Sequence, residues 1–301
     1  MTLLPAWMDG LTPEMVRKAE EELGETIETR LQALKDLRRL VHSESDFRPR
    51  LDDAFLIRFL RARKFNPQRA FNALRNYYTF KVRYSGMLTD FKPSEVQKVM
   101  EMNNLFVLPR RDPSGAVVGL LRAGYFNVEK ASPNDLIAAV LVCAELCLEV
   151  EATQVCGAVL IVDFEKFSFK LMKQFASPAL LYRIIRCVQD CVPCRIKAYH
   201  MVNEPFYFNY IFNIAKTLLS EKLKKRIHFH GSDLKSLHKL VPPDVLPQEL
   251  GGTLGSMDNK EFRCQLLNRE SHFEKINKYG FQEKKAQFIR KKSSRALGLF
   301  F

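Results

Sequence analysis

Four short apolar runs, separated by longer amphipathic stretches, constrain what this chain can fold into. The runs are AVVGLLRA (116–123), GAVLIVDF (157–164), RIKAYHMVN (195–203) and RIHFH (226–230). All but the last are rich in Val, Ile and Leu, as strands buried on both faces are. Helical patterns lie between them at 132–153, 177–191 and 205–219. The order β-α-β-α-β-α-β predicts an α/β fold, a mostly parallel sheet with crossover helices.

Upstream of these runs the periodicity is helical. Val16, Ala19, Leu23, Ile27, Leu31, Leu34, Leu37 and Val41 recur every three or four residues. That spacing predicts one amphipathic helix over 14–41, with Thr12 as its cap and Pro13 in its first turn. A second apolar helix opens at Asp53. Asn66-Pro67 opens a third, whose buried stripe is Ala70, Phe71, Leu74, Tyr77 and Tyr78. The expected organisation is an all-helical lobe over 1–91 and an α/β domain over 92–252, closed by the turn signal PPDVLPQELGG (242–252). A basic C-terminal extension over 253–301 is expected to be partly ordered at best.

Charge limits the partners. Lys and Arg number 47 against 34 Asp and Glu, a net charge of +13 that points to nucleic acid or an acidic membrane face. No helix-turn-helix, zinc-finger or RNA-recognition pattern accompanies the charge, which sets nucleic acid aside. No apolar run reaches the length of a membrane span and the opening residues do not resemble a secretory signal, so a cytosolic protein is expected. The seven cysteines lack paired zinc-site spacing and read as free thiols.

Enzyme signatures are missing. G-x-G-x-x-G, G-x-x-x-x-G-K-[ST] and G-x-S-x-G do not occur. Asp163 and His200 could form an acid and base pair, but without a nucleophile at a motif position they read as a strand-end acid and a packed histidine. His228 and His230 share a strand face without a third metal ligand at fixed spacing. The expectation is a protein that is not an enzyme, with neither cofactor nor metal.

The segment NEPFYFNYIFNIAKTLLSEKLKKRIHFHG (203–231) is the most specific. From Phe206 to Leu219 the pattern leaves hardly any polar face, and Lys222, Lys224, Lys225 and Arg226 follow at once. An apolar helix beside a cationic one suits a surface that meets anionic bilayers. This segment, with FLIRFLRARKFNPQRAFNALRNYY (55–78), VLIVDFEKFSF (159–169), PCRIKAYH (193–200) and LPQELGG (246–252), resembles the CRAL-TRIO lipid-binding family, in the branch of the alpha-tocopherol transfer protein and cellular retinaldehyde-binding protein. The resemblance implies a helical lobe followed by an α/β domain that encloses one lipid under a mobile gate at 203–226. It implies phosphoinositide-binding cations at Arg195, Lys197, Lys222 and Arg226, and a clamp between the lobes made by Arg63 and Asp190. Val140 and Ala144 stand where the tocopherol protein places small hydroxyl residues, which argues against tocopherol itself.

Helical spacing puts Ile137, Val140, Leu141, Ala144 and Leu148 on one face as a pocket wall. Ile161, Phe164, Phe167, Phe169, Ile184 and Val188 are expected to supply the other walls, and Phe208, Ile211 and Phe212 the gate. About half of such residues are expected to line the cavity. The reading is a monomeric lipid-transfer protein that holds a hydrophobic ligand, a neutral tocol, retinoid, carotenoid or sterol. It would exchange that ligand at membranes carrying phosphatidylinositol bisphosphate, with endosomes one candidate location. A phosphoinositide-binding adaptor without exchange, or a phospholipid transfer protein, are the alternatives.

Overall fold

The computed structural model describes residues 3–297. The long N-terminal helix of the sequence reading is in fact two. α1 (Pro13–Leu23) opens on Thr12, whose hydroxyl accepts the Met15 N–H, and stops at Gly24 in the left-handed region, φ 72°. Thr26 then caps α2 (Ile27–His42). The apolar spacing carries across this break, but a left-handed glycine followed by a threonine cap ends one helix and starts another. β1 (Phe47–Arg48), α3 (Asp53–Ala62) and α4 (Pro67–Arg83) complete the lobe, with Asp52 and Asn66 as caps. Leu37, Leu56, Phe59, Leu74 and Tyr78 fill its core.

The second unit is built on a five-stranded sheet. After α5 (Gln97–Met100) comes β2 (Leu105–Val107), an antiparallel edge strand beside β3 (Val117–Arg122). Three residues are too few to stand out as an apolar run, so β2 escaped the sequence reading. The chain continues through α6 (Pro133–Cys147), α7 (Glu151–Cys156), β4 (Ala158–Asp163), α8 (Phe169–Phe175) and α9 (Pro178–Arg186). A π-helical turn (Cys187–Cys191) leads to β5 (Ile196–Val202), α10 (Phe208–Leu218), α11 (Glu221–Lys224) and β6 (Ile227–Phe229). The strand order is β2-β3-β4-β5-β6, parallel from β3 to β6, as the alternation predicts. Gly157, at φ 84°, lets β4 start against β5, because a Cβ there would lie 2.0 Å from the Arg195 carbonyl oxygen.

One face of the sheet packs Val118, Leu120, Val159 and Ile161 against Leu237, Val241 and Leu250, with Leu237 on α12 (Leu234–His238). The opposite face, by the alternation of side chains along each strand, turns Gly119, Leu160, Val162, Tyr199 and Met201 toward α6, α9 and α10.

The C-terminal extension is ordered, contrary to expectation. α13 (Lys260–Leu267), α14 (Glu270–Ile276), β7 (Gly280–Phe281) and α15 (Glu283–Leu297) follow one another. Phe262, Leu266, Phe273 and Ile276 join the core of the α/β domain. Buried Asn259 donates to the carbonyls of Met100 and Leu105. β7 pairs antiparallel with β1, and Phe281 stacks on Phe47 at 4.7 Å. A few apolar residues at helical spacing do this anchoring. The many surrounding lysines and arginines, solvated on the outer faces, hide them in composition. Residues 298–301 lie outside the described part.

Candidate functional site

Beneath α10 the apolar face of the sheet borders a cavity of about 280 Å³. Ile137 of α6, Phe164 and Phe167 after β4, Ile184 of α9 and Val188 of the π turn form its walls, and Phe208, Ile211 and Phe212 of α10 its roof. A second lobe of about 140 Å³ is lined by Val140, Leu141 and Ala144 of α6 and by its C-cap Leu148. The two meet at Val188 and Tyr199, which border both. No charged side chain lines either lobe. Two residues expected in the walls are not there. Ile161 points to the other face of the sheet, because the side chains of β4 alternate and its neighbours Leu160 and Val162 take the cavity side. Phe169 is the first residue of α8 after the Ser168 cap and stands 51% exposed on the outside.

α10 is held at both ends by polar contacts. Before it, Asn203 adopts φ 55°, donates its side-chain amide to Asp163 at 2.8 Å and bonds the Gly231 carbonyl through its backbone N–H. After it, the side chain of Gln189 accepts the Ser220 N–H at 2.7 Å and donates to the Leu218 carbonyl at 3.3 Å. Nothing in the sequence singled out Gln189. Phe208 packs on Phe164 at 4.5 Å and Phe212 on Phe229 at 4.8 Å. Outside, Phe206 at 87% exposure and Tyr210 at 64% join Phe169 in an aromatic surface around Tyr207.

Just beyond α10 the four expected cations gather with two more. Burial, and then the charges of Arg226, Arg63, Arg195 and Lys64, hold the Lys222 ammonium below the usual lysine range. Among the described residues Lys222, Arg226, Arg63 and Lys64 form no ion pair with a carboxylate. Arg195 and Lys197 do: Glu22 of α1 places Oε2 2.6 Å from Arg195 and 3.2 Å from Lys197. Burial alone would raise the Glu22 carboxyl. The hydrogen bonds and charges of Arg195 and Lys197 outweigh it and bring the group down to about 2. Arg195 also donates to the Val155 carbonyl and Arg226 to the Ile196 carbonyl. The basin therefore holds its own anion.

The clamp expected between Arg63 and Asp190 does not form. Asp190 pairs with Arg186 at 2.6 Å, one helical turn away, while Arg63 is the C-cap of α3 and feels Asp190 only as a nearby charge. Its neighbours in the same motif join the units instead. Arg61, 1% exposed, grips Glu25 through two nitrogens at 2.8 and 2.7 Å and reaches Gln154 at 2.8 Å and Glu151 at 3.1 Å on α7. Arg58 bonds Glu145 of α6 at 2.6 Å, and Tyr77 donates to the same carboxylate at 3.1 Å.

The residues weighed as catalytic or metal-binding are engaged elsewhere. Asp163 accepts from Arg122, Asn203 and the Glu165 N–H. His200 lies 2.9 Å from His230 and stacks on His228, on the sheet face away from the cavity. Burial, then the nearby His230 and His228, push His200 down to about 4, so it is neutral at neutral pH. Among the described residues no helix is long and apolar enough to cross a membrane.

A mostly parallel sheet with an apolar cavity on one face, roofed by one apolar helix and preceded by a helical lobe, defines an α/β protein with an apolar pocket. The chain belongs to the CRAL/TRIO family of lipid-binding and lipid-transfer proteins: the CRAL/TRIO domain matches residues 101–252 and the CRAL/TRIO N-terminal domain residues 22–76. It is similar to the human alpha-tocopherol transfer protein-like protein, 39% identical over 90% of this chain and 79% of that one. Clavesin-1 of Xenopus laevis is 36% identical over 86% of this chain and 78% of that one. The crystal structure of Sfh5 aligns with a TM-score of 0.48 at 12% identity, covering 88% of this chain and 99% of that one.

Proposed function

We propose that the chain holds one neutral lipophile of the tocol, retinoid, carotenoid or sterol kind beneath α10 and exchanges it at membranes that carry phosphatidylinositol bisphosphate. The adjacency of roof and cations carries this reading. α10 ends at Leu218, and Ser220 caps the short helix that bears Lys222. A headgroup bound in the basin thus sits one turn from the C-terminal end of the cavity roof, while exposed Phe206, Tyr210 and Phe169 gather at the roof's N-terminal end to enter the bilayer interface. A membrane that binds the open arrangement better than the closed one shifts the population toward open. The uncharged lining supports a neutral cargo, as does the similarity to the alpha-tocopherol transfer protein-like protein. Apolar Val140 and Ala144 favour a cargo other than tocopherol. Native mass spectrometry of the protein loaded from a lipid extract tests the reading directly. A neutral lipophile at one per chain is expected, and recovery of none, or of a phospholipid, overturns it.

Phe212→Asp sets a carboxylate between the cavity and the Phe229 ring. Because a buried unpaired charge is costly, the roof should open more readily and release of bound lipophile should rise on the order of tenfold or more. Stopped-flow transfer to acceptor vesicles measures this, and a wild-type rate would remove α10 as the gate.

Glu22→Gln takes the internal anion out of the basin. An arriving phosphate then meets Arg195 and Lys197 unopposed, so vesicle binding should tighten by about fivefold, the equivalent of roughly one charge near the surface. Co-sedimentation with phosphatidylinositol bisphosphate vesicles is the measurement. Unchanged or weaker binding would show that Glu22 does not compete with the headgroup.

A further inference from the structure

Among the described residues the cavity is lined by one hydroxyl that the fold leaves without a partner. β5 turns Tyr199 and Met201 to the cavity side, and Tyr199 stands with Val188 where the two lobes meet. Among the described residues the Tyr199 hydroxyl makes no hydrogen bond. Other tyrosines in similar depth do: Tyr77 donates to Glu145, Tyr78 accepts from the Arg50 N–H, and Tyr207 donates to the Phe167 carbonyl. Tyr199 is half-buried, and a hydroxyl left unpaired among apolar walls is costly, the usual resolution being a ligand or a trapped water. Burial pushes the Tyr199 phenol up, and the nearby thiols of Cys194 and Cys187 add to the effect, so the group is a neutral donor and acceptor. The remaining polar lining has less to offer. The Thr153 hydroxyl already accepts from Arg111 at 3.1 Å, and burial keeps the Cys147 and Cys194 thiols protonated, pushed up to about 12.

We propose that Tyr199 is the specificity-determining residue of the cavity, and that its hydroxyl holds the single hydroxyl or carbonyl oxygen of an otherwise apolar ligand at the junction of the two lobes. The inference rests on the lipid-carrier reading and narrows it: the cargo is an alcohol or carbonyl lipid, neither a bare hydrocarbon nor an ion. A carboxylate or phosphate would enter a space that no cation lines. A hydrocarbon would leave the phenol unpaired.

The test uses two matched pairs that differ mainly in one hydroxyl, retinol against axerophtene and cholesterol against cholestane. Dissociation constants are measured for the full chain and for Tyr199→Phe, which keeps the ring and removes one oxygen. In any pair that binds, the wild-type protein should prefer the alcohol by about tenfold, the difference of one buried hydrogen bond. Tyr199→Phe should erase most of that preference, because the alcohol loses its partner and the hydrocarbon no longer faces an unpaired phenol. Equal binding of alcohol and hydrocarbon by the wild-type protein overturns the role of Tyr199 while leaving the carrier reading intact, as does a preference that survives in Tyr199→Phe. Failure of folded wild-type protein to bind any of the four, with no neutral lipophile recovered from a lipid extract by native mass spectrometry, overturns the carrier reading and this inference with it. The wild-type comparison is decisive even where the variant folds poorly, and thermal unfolding of both proteins identifies that case.

Discussion

Replacing Arg195, Lys197, Lys222 and Arg226 together by Ala is expected to lower partitioning onto vesicles carrying phosphatidylinositol bisphosphate by about a thousandfold. Each cation near an anionic surface contributes about 1 kcal/mol, and four of them approach 4 kcal/mol. Two of the four also serve the fold, since Arg195 bonds the Val155 carbonyl and Arg226 the Ile196 carbonyl. Lys197 and Lys222 make no such backbone bond, so the double variant Lys197→Ala/Lys222→Ala separates binding from stability. It should lose about thirtyfold while its melting temperature barely moves. Raising salt should weaken the wild-type interaction in the same direction. Flotation with and without the phosphoinositide measures both variants, and a quadruple variant that keeps its phosphoinositide preference would remove the basin from the membrane-binding role.

The second large effect is on stability and falls at Arg61. Arg61→Met leaves Glu25, whose side chain is only 9% exposed, with Arg30 at 4.0 Å as its remaining cation, and strips Glu151 and Gln154 of their contact with the helical lobe. Removing one partner of a buried pair costs about 3–5 kcal/mol, which lowers the melting temperature of a chain this size by roughly 10 °C. Arg63→Met, two residues on, breaks no ion pair and should cost less than about 1 kcal/mol. Differential scanning calorimetry of the two variants decides between these clamps. If Arg63→Met proves the more damaging, the units are joined by Arg63 after all.

Much of the architecture was legible because strands buried on both faces write themselves as continuous Val, Ile and Leu runs, and because Pro13, Asn66 and Pro67 mark helix starts. The same continuity conceals which face of a strand meets a cavity. Ile161 and Leu160 look alike in the run GAVLIVDF, yet only Leu160 turns toward the ligand side. Tyr199 lay inside a predicted strand with its orientation equally unreadable. The cations of the basin were legible from spacing and resemblance, whereas Glu22 lies 173 residues from Arg195, and no local pattern reports such a contact. In the motif FLRARKF the choice among three arginines depends on where α3 ends. Arg58 and Arg61, three apart, reach α6 and α7, while Arg63 falls at the cap. The C-terminal segment was misread because four core residues were outnumbered by lysines and arginines.

The pairing of β7 with β1 also sets an order of events during synthesis. Gln282 reaches back to the Ser45 carbonyl across 237 residues of chain. At about 5–20 residues per second, a ribosome makes Phe47 roughly ten seconds or more before its partner Phe281 exists. Until then the ring of Phe47, 1% exposed in the finished protein, lacks its stacking partner, and the edge of β1 is unpaired. The first lobe to leave the ribosome therefore waits for a late segment to seal it, and in that interval its open edge is where a chaperone, or a neighbouring nascent chain, finds apolar surface to hold.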